Sequence, residues 1–260
     1  MEKGDGDVRF GDSACPFHDS RRITGKAFSC GTRNIVRPVG AKTGRRQAGL
    51  ATETRNAILS TMAPVALLEH LRSEEDARFD RVFPESIRLL SRVFWTPVSV
   101  ARQAAGFLVT RPGTRVLDIG CGPGKFCIAA AVGSPGHFTG IEQRRRLCEV
   151  AWRIIRNAGI PNAEVFHGDM GGLRFDDFEA FYLFNPFAEY LEPEGRIDRN
   201  IGESEGHYDE FVRTVADRLS ARPTGTRVAT YCGICEEIPP DYDCVGNSAD
   251  GKLRFWEKSR

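Results

Sequence analysis

The sequence predicts an α/β protein built on a doubly wound, mostly parallel sheet, and three observations lead there. From about residue 112 onward, strand-sized apolar runs alternate with stretches of helical periodicity. A glycine-rich turn, Gly120-Cys121-Gly122-Pro123-Gly124, separates the first apolar run from the first of those helices. The tail holds two short runs around Asp250-Gly251, a dipeptide that favours a tight hairpin and hence an antiparallel edge.

Taken in order, residues 1–60 are rich in Gly, Arg, Ser and Thr and show little periodicity, which predicts a mobile basic N-terminal segment. Its first fifty residues hold ten Lys and Arg against five Asp and Glu, in a chain whose net charge is only +1. Residues 61–111 read as a helical extension. APVALLEHLRSEEDARF predicts one amphipathic helix, FPESIRLLSRVF a second entered at Pro84-Glu85, and VSVARQAAGFLV a third after Pro97. Residues 112–260 carry the alternation itself. RVLDIG is a strand, KFCIAAAVG a helix, HFTGIE a strand, and RRRLCEVAWRIIRNAG a helix with Gly159 at its end. AEVFHGD and EAFYLFNPF follow as strands, GHYDEFVRTVADRLSA as a helix, TRVATYCGI as a strand, and DYDCVGNSADGKLRFWEK as the closing hairpin.

Composition excludes some classes. A hydrophobic fraction of 41% supports a sizeable buried core, while no apolar run approaches the length of a membrane span. The opening MEKGDGDVRFGDSACPFHDS has no apolar stretch of the kind a secretory signal needs, so the expected compartment is the cytoplasm, away from membranes. The near-neutral charge gives no global attraction to nucleic acid. Eight cysteines are expected as free thiols, mostly buried. Cys232-Gly233-Ile234-Cys235 is half of a zinc-site spacing, but only Cys244 and the distant His18 offer to complete it, and its strand-like context favours packing. No metal is expected.

The chemistry concentrates at strand ends. Glycine lets a turn tighten and lets a ligand approach the main chain, and a helix starting near Lys125 directs free N–H groups at the same place. Asp118 precedes the turn, giving Asp118-x-Gly120-x-Gly122-x-Gly124, which departs from the GxGxxG dinucleotide spacing. Lys125 lacks the GxxxxGK[ST] context of a nucleoside-triphosphate loop, and Arg144-Arg145-Arg146 read as the exposed start of a helix. Glu142 ends the second strand, Asp169 follows the third, and Asn185-Pro186-Phe187 follow the fourth.

These residues resemble the class I S-adenosylmethionine-dependent methyltransferases, whose first motif is an acidic residue followed by GxGxG. The resemblance implies a seven-stranded sheet of order 3-2-1-4-5-7-6 with the last strand antiparallel. It implies S-adenosylmethionine as cofactor, bound through Asp118, Gly120, Gly122, Gly124, Glu142 and Asp169. Glu142 would take the ribose hydroxyls and Asp169 the adenine amine. Phe94-Trp95-Thr96-Pro97 is similar to the Tyr/Phe-Thr-Pro segment of many amino-methyltransferases, which implies Thr96 beside the methionine end of the cofactor. Asn185, Pro186 and Phe187 fall where the family places catalytic residues next to the methyl group, with Tyr182, Glu189 and Tyr190 nearby. FTGIEQ through FNPFAEYL is also similar to the histone-lysine methyltransferases that lack a SET domain. The resemblance therefore implies methyl transfer to a nitrogen of a protein side chain, a nucleobase or a small molecule. The acceptor is left open. A non-catalytic binding module keeping the same fold, and a nicotinamide-dependent oxidoreductase, are the rival expectations.

Overall fold

The computed structural model describes residues 64–185, 197, 207–233, 235–248 and 250–260. The expected mobile segment at 1–60, and Pro186, Phe187, Glu189 and Tyr190, lie outside these described residues.

The sheet forms as the apolar runs dictate. Its strands are β1 (Arg115–Ile119), β2 (His137–Glu142), β3 (Ala163–His167), β4 (Ala180–Leu183), β5 (Arg227–Tyr231), β6 (Tyr242–Asn247) and β7 (Leu253–Lys258), in the order β3-β2-β1-β4-β5-β7-β6. β1 pairs in parallel with β2 and β4, and β7 runs antiparallel between β5 and β6. This is the topology that the resemblance implied. A parallel strand covered on both faces has no solvent side, which is why Val116, Leu117, Asp118 and Ile119 are all buried.

The described helices are α1 (Pro64–Leu71), α2 (Asp76–Phe79), α3 (Glu85–Arg88), α4 (Ser91–Phe94), α5 (Val98–Leu108), α6 (Lys125–Gly133), α7 (Arg145–Ala158) and α8 (His207–Ser220). On one face of the sheet Val116, Phe138 and Tyr182 pack beneath α5, α6 and α7, and on the other Leu117, Phe181 and Val228 pack against Val215 and Leu219 of α8. α6 is apolar nearly all round and is buried accordingly, whereas α7 is amphipathic and ends at Gly159, whose φ of +62° suits a left-handed stop. Among the described residues no helix is long and apolar enough to cross a membrane.

The extension departs from expectation. The single helix expected over 63–79 breaks into α1 and α2, because the Arg102 guanidinium takes the carbonyls of Leu71, Arg72 and Ser73 and closes α1 from outside. FPESIRLLSRVF likewise divides, into α3 and α4. The result is a string of short helices folded over the glycine turn.

Candidate active site

β1 ends at the glycine turn, and α6 begins directly after it. Gly120, Gly122 and Gly124 all have positive φ, at +76°, +55° and +76°. At two of them the space is as restrictive as the angle. A Cβ on Gly122 would lie 2.5 Å from Cζ3 of Trp95, and one on Gly124 would lie 3.1 Å from the Ala151 Cβ and 3.3 Å from Val165 Cγ2. The turn is thus compressed between the extension on one side and α7 with β3 on the other.

The two carboxylates expected at the strand ends come together. Asp118 and Glu142 are 3% and 4% exposed. Asp118 shares its register with Gly140 of β2 and Tyr182 of β4, so it points toward the α5–α6 face, where the Cys127 thiol donates to it at 3.5 Å. Burial, with a smaller push from the charge of Glu142, raises the Asp118 carboxyl to about 8. Glu142 faces the turn: its Oε2 accepts the Gly122 N–H at 3.1 Å and its Oε1 accepts the Arg144 N–H at 2.7 Å. The Arg144 side chain also pairs with Oε1, at 3.5 Å. Arg144 is therefore buried against the carboxylate, which corrects the expected exposed start of the helix; only Arg145 and Arg146 are exposed.

Asp169 lies just past β3, where Gly168 N–H bonds the Glu142 carbonyl at 3.0 Å. Its carboxylate is exposed and accepts the Gly171 N–H at 2.7 Å. Thr96 is buried, and its hydroxyl is hydrogen-bonded to the Tyr182 hydroxyl at 2.9 Å. Tyr182 is fully buried and stacks on Phe126 with centroids 3.8 Å apart, so it pins the extension to β4. Asn185 follows β4 with φ +39°, a strained angle for a residue with a side chain, and its amide packs against Gly233 after β5.

Three thiols surround this centre. Burial pushes Cys121 and Cys127 well up, with the Asp118 charge adding to both, and burial beside Glu142 raises Cys148 to about 12. They stay protonated and act as small packing groups. Of the half zinc site, the Cys235 sulfur instead meets the Thr230 hydroxyl at 3.3 Å and Arg254 at 3.6 Å. Cys244 is exposed and bonds the Gly246 carbonyl.

Two contributors escaped sequence reasoning. Trp95 lies on Gly122 and donates its indole N–H to the Ile87 carbonyl at 3.0 Å. Lys125 is 2% exposed and is held by Asp76 at 2.5 Å, Asp80 at 2.8 Å and the Ser91 hydroxyl at 3.0 Å. Asp76 also accepts the Val98 N–H at 3.0 Å, fastening the start of α5. The Phe-Trp-Thr-Pro run was a visible signal for Trp95, whereas the partners of Lys125 lie 34 to 49 residues upstream.

Known proteins are similar to this chain. Residues 110–187 match a family model described as "Methyltransferase domain". The expected class I fold is the one observed, and the domain's match runs from just before β1 to Phe187. The chain is 33% identical over 136 residues to a protein-L-isoaspartate O-methyltransferase of Methanothermobacter thermautotrophicus, covering 46% of this chain and 62% of that one. It is 28% identical over 108 residues to a demethylmenaquinone methyltransferase of Listeria welshimeri, covering 40% and 46% respectively. It thus spans less than two thirds of either relative. Among solved structures, an RNA methyltransferase from Salinibacter ruber in complex with S-adenosyl-L-homocysteine aligns at 17% identity and a TM-score of 0.45, over 64% of this chain and 94% of that one.

Proposed function

We propose that the chain is an S-adenosylmethionine-dependent methyltransferase that acts on a nitrogen of a protein side chain, a nucleobase or a small molecule. The observation that carries this reading is the pair of buried carboxylates, Asp118 and Glu142, at neighbouring strand ends with a glycine turn bonded to one of them.

The donor set suits the cofactor. Glu142 is an acceptor-only carboxylate at the end of β2, held against the turn by the Gly122 and Arg144 N–H groups, and a group of that kind suits ribose hydroxyls. Asp118 supplies a carboxyl whose ionisation burial opposes, and a positively charged ligand group in the cleft offsets that opposition. Asp169 offers a further acceptor beyond β3, assigned to the adenine amine, and Thr96 belongs to the wall at the methionine end. When bound, S-adenosylmethionine supplies a methyl group already activated by its sulfonium. The chain's own work is then to align an acceptor and exclude water. Asn185 offers an amide oxygen to an acceptor N–H, which fixes the direction of the nitrogen lone pair. The Pro186 carbonyl and the Phe187 ring are assigned as a second acceptor and a stacking surface.

Neither relative's name includes a nitrogen acceptor, so that part of the proposal rests on Asn185 and the residues after it. Calorimetric titration of the full chain with S-adenosylhomocysteine tests the cofactor, and saturable binding is the expected result. Incubation of a cell extract with the chain and methyl-labelled cofactor then tests transfer. Label that survives mild alkali supports a nitrogen acceptor, and alkali-labile label identifies a carboxyl ester and refutes it. Binding with no labelled product favours the non-catalytic module.

A further inference from the structure

We propose that Trp95 is a positioning residue for the cofactor: its indole, laid on Gly122, holds that residue's peptide where the N–H reaches Glu142. The role assigned to Glu142 rests on the function proposed above, but the contact between Trp95 and Gly122 does not.

Four observations converge. The indole has no space to spare, since a Cβ on Gly122 would lie 2.5, 2.9 and 3.4 Å from its Cζ3, Cε3 and Cη2 atoms. It is fixed in orientation by the bond from Nε1 to the Ile87 carbonyl, 3.0 Å long. Its flanks are fastened too: Thr96 bonds Tyr182, while Asp76 and Asp80 hold Lys125, the first residue of α6. Finally, the glycine it covers spends its N–H on Glu142 Oε2, at 3.1 Å. A line of direct contacts therefore runs from Ile87 through Trp95 and Gly122 to the carboxylate assigned to the ribose.

A glycine at φ +55° has other conformations open to it, even with Pro123 narrowing its choice from the C-terminal side. The indole removes that freedom from one side, leaving the turn in the arrangement that meets Glu142. Were Trp95 packing alone, its replacement would lower global stability without a specific effect on the Gly122 amide or on coupling to Glu142.

The test uses the full chain. Hydrogen exchange at the Gly122 amide, followed by NMR without ligand, is compared between wild type, Trp95→Leu and Trp95→Phe, with the Leu117 amide of β1 as the internal reference for global opening. Trp95→Leu is expected to speed exchange at Gly122 by about tenfold relative to Leu117. Trp95→Phe, which keeps a ring but loses the Ile87 bond, is expected to speed it by roughly two- to fivefold, and it decides the matter where the leucine variant does not fold. The affinity for S-adenosylhomocysteine should fall about tenfold in Trp95→Leu but show little further loss when Glu142→Gln is already present, because both changes act on one contact. Binding by wild type with unchanged Gly122 exchange in both variants, or fully independent effects of the two substitutions, overturns the role of Trp95 alone. Failure of wild type to bind S-adenosylhomocysteine overturns the proposed function and the cofactor role of Trp95 with it.

Discussion

Replacing Asp118 with asparagine should make the protein more stable at pH 8 while weakening its hold on the cofactor. The carboxyl titrates at about 8 in the folded chain against 3.8 for the ordinary group, chiefly because it is buried. Well below pH 3.8 both folded and unfolded forms carry the proton, and the residue costs nothing. As pH rises from 4 toward 8 the unfolded chain ionises and the folded chain does not, so stability is lost progressively across that window. At ~1.4 kcal/mol per tenfold, the shift corresponds to about 5 kcal/mol by pH 8. Relaxation and water entry around a buried charge reduce the measurable share to ~2–3 kcal/mol. Asparagine has the same shape and cannot ionise. Urea unfolding at pH 4.5, 6, 7 and 8 should therefore show wild type and Asp118→Asn converging at the acid end and separating in favour of the variant as pH rises. Parallel curves would show that Asp118 is already ionised in the fold. A variant that binds S-adenosylhomocysteine as tightly as wild type would remove Asp118 from the cofactor site.

Three further outcomes are expected. Gly122→Ala combines a left-handed backbone angle with a Cβ driven into Trp95, and should cost about 2–4 kcal/mol in urea unfolding as well as cofactor affinity. Lys125→Met leaves the Asp80 carboxylate buried without its cation and should cost ~3 kcal/mol, much of it recovered when Asp76→Asn and Asp80→Asn are added, as thermal unfolding would show. Asn185→Ala should leave S-adenosylhomocysteine affinity within about twofold of wild type yet reduce transfer of labelled methyl by on the order of a hundredfold, since its amide is assigned to aligning the acceptor.

Much of this was legible in the sequence because the relevant signals are local. HFTGIE became β2 and KFCIAAAVG became α6 residue for residue, since a short buried strand and a buried helix both declare themselves by mostly apolar runs closed by glycine or charge. The strand-end carboxylates followed from the same alternation. The extension was harder to read. Nothing near Ser73 in the sequence says that Arg102 will take three carbonyls there, and the periodicity of α1 runs on past its real end. Lys125 and Arg144 look like ordinary surface cations beside a turn and a helix. Their burial is decided by Asp76 and Asp80 in one case and by Glu142 in the other. The burial of Tyr182 was hidden for a related reason, since an aromatic near a strand end suits either a pocket or a core until the strand on either side fixes which face it joins.

The fastening of α2 through α5 onto the turn bears on how this protein should be cut. Family likeness starts at residue 110, but the groups that brace Gly122 and neutralise Lys125 all lie before it. A fragment trimmed to the recognisable region would lose the carboxylates that hold Lys125 and the indole that lies on Gly122, and would leave the loop unsupported. The smallest piece worth expressing is therefore longer than the piece that similarity picks out.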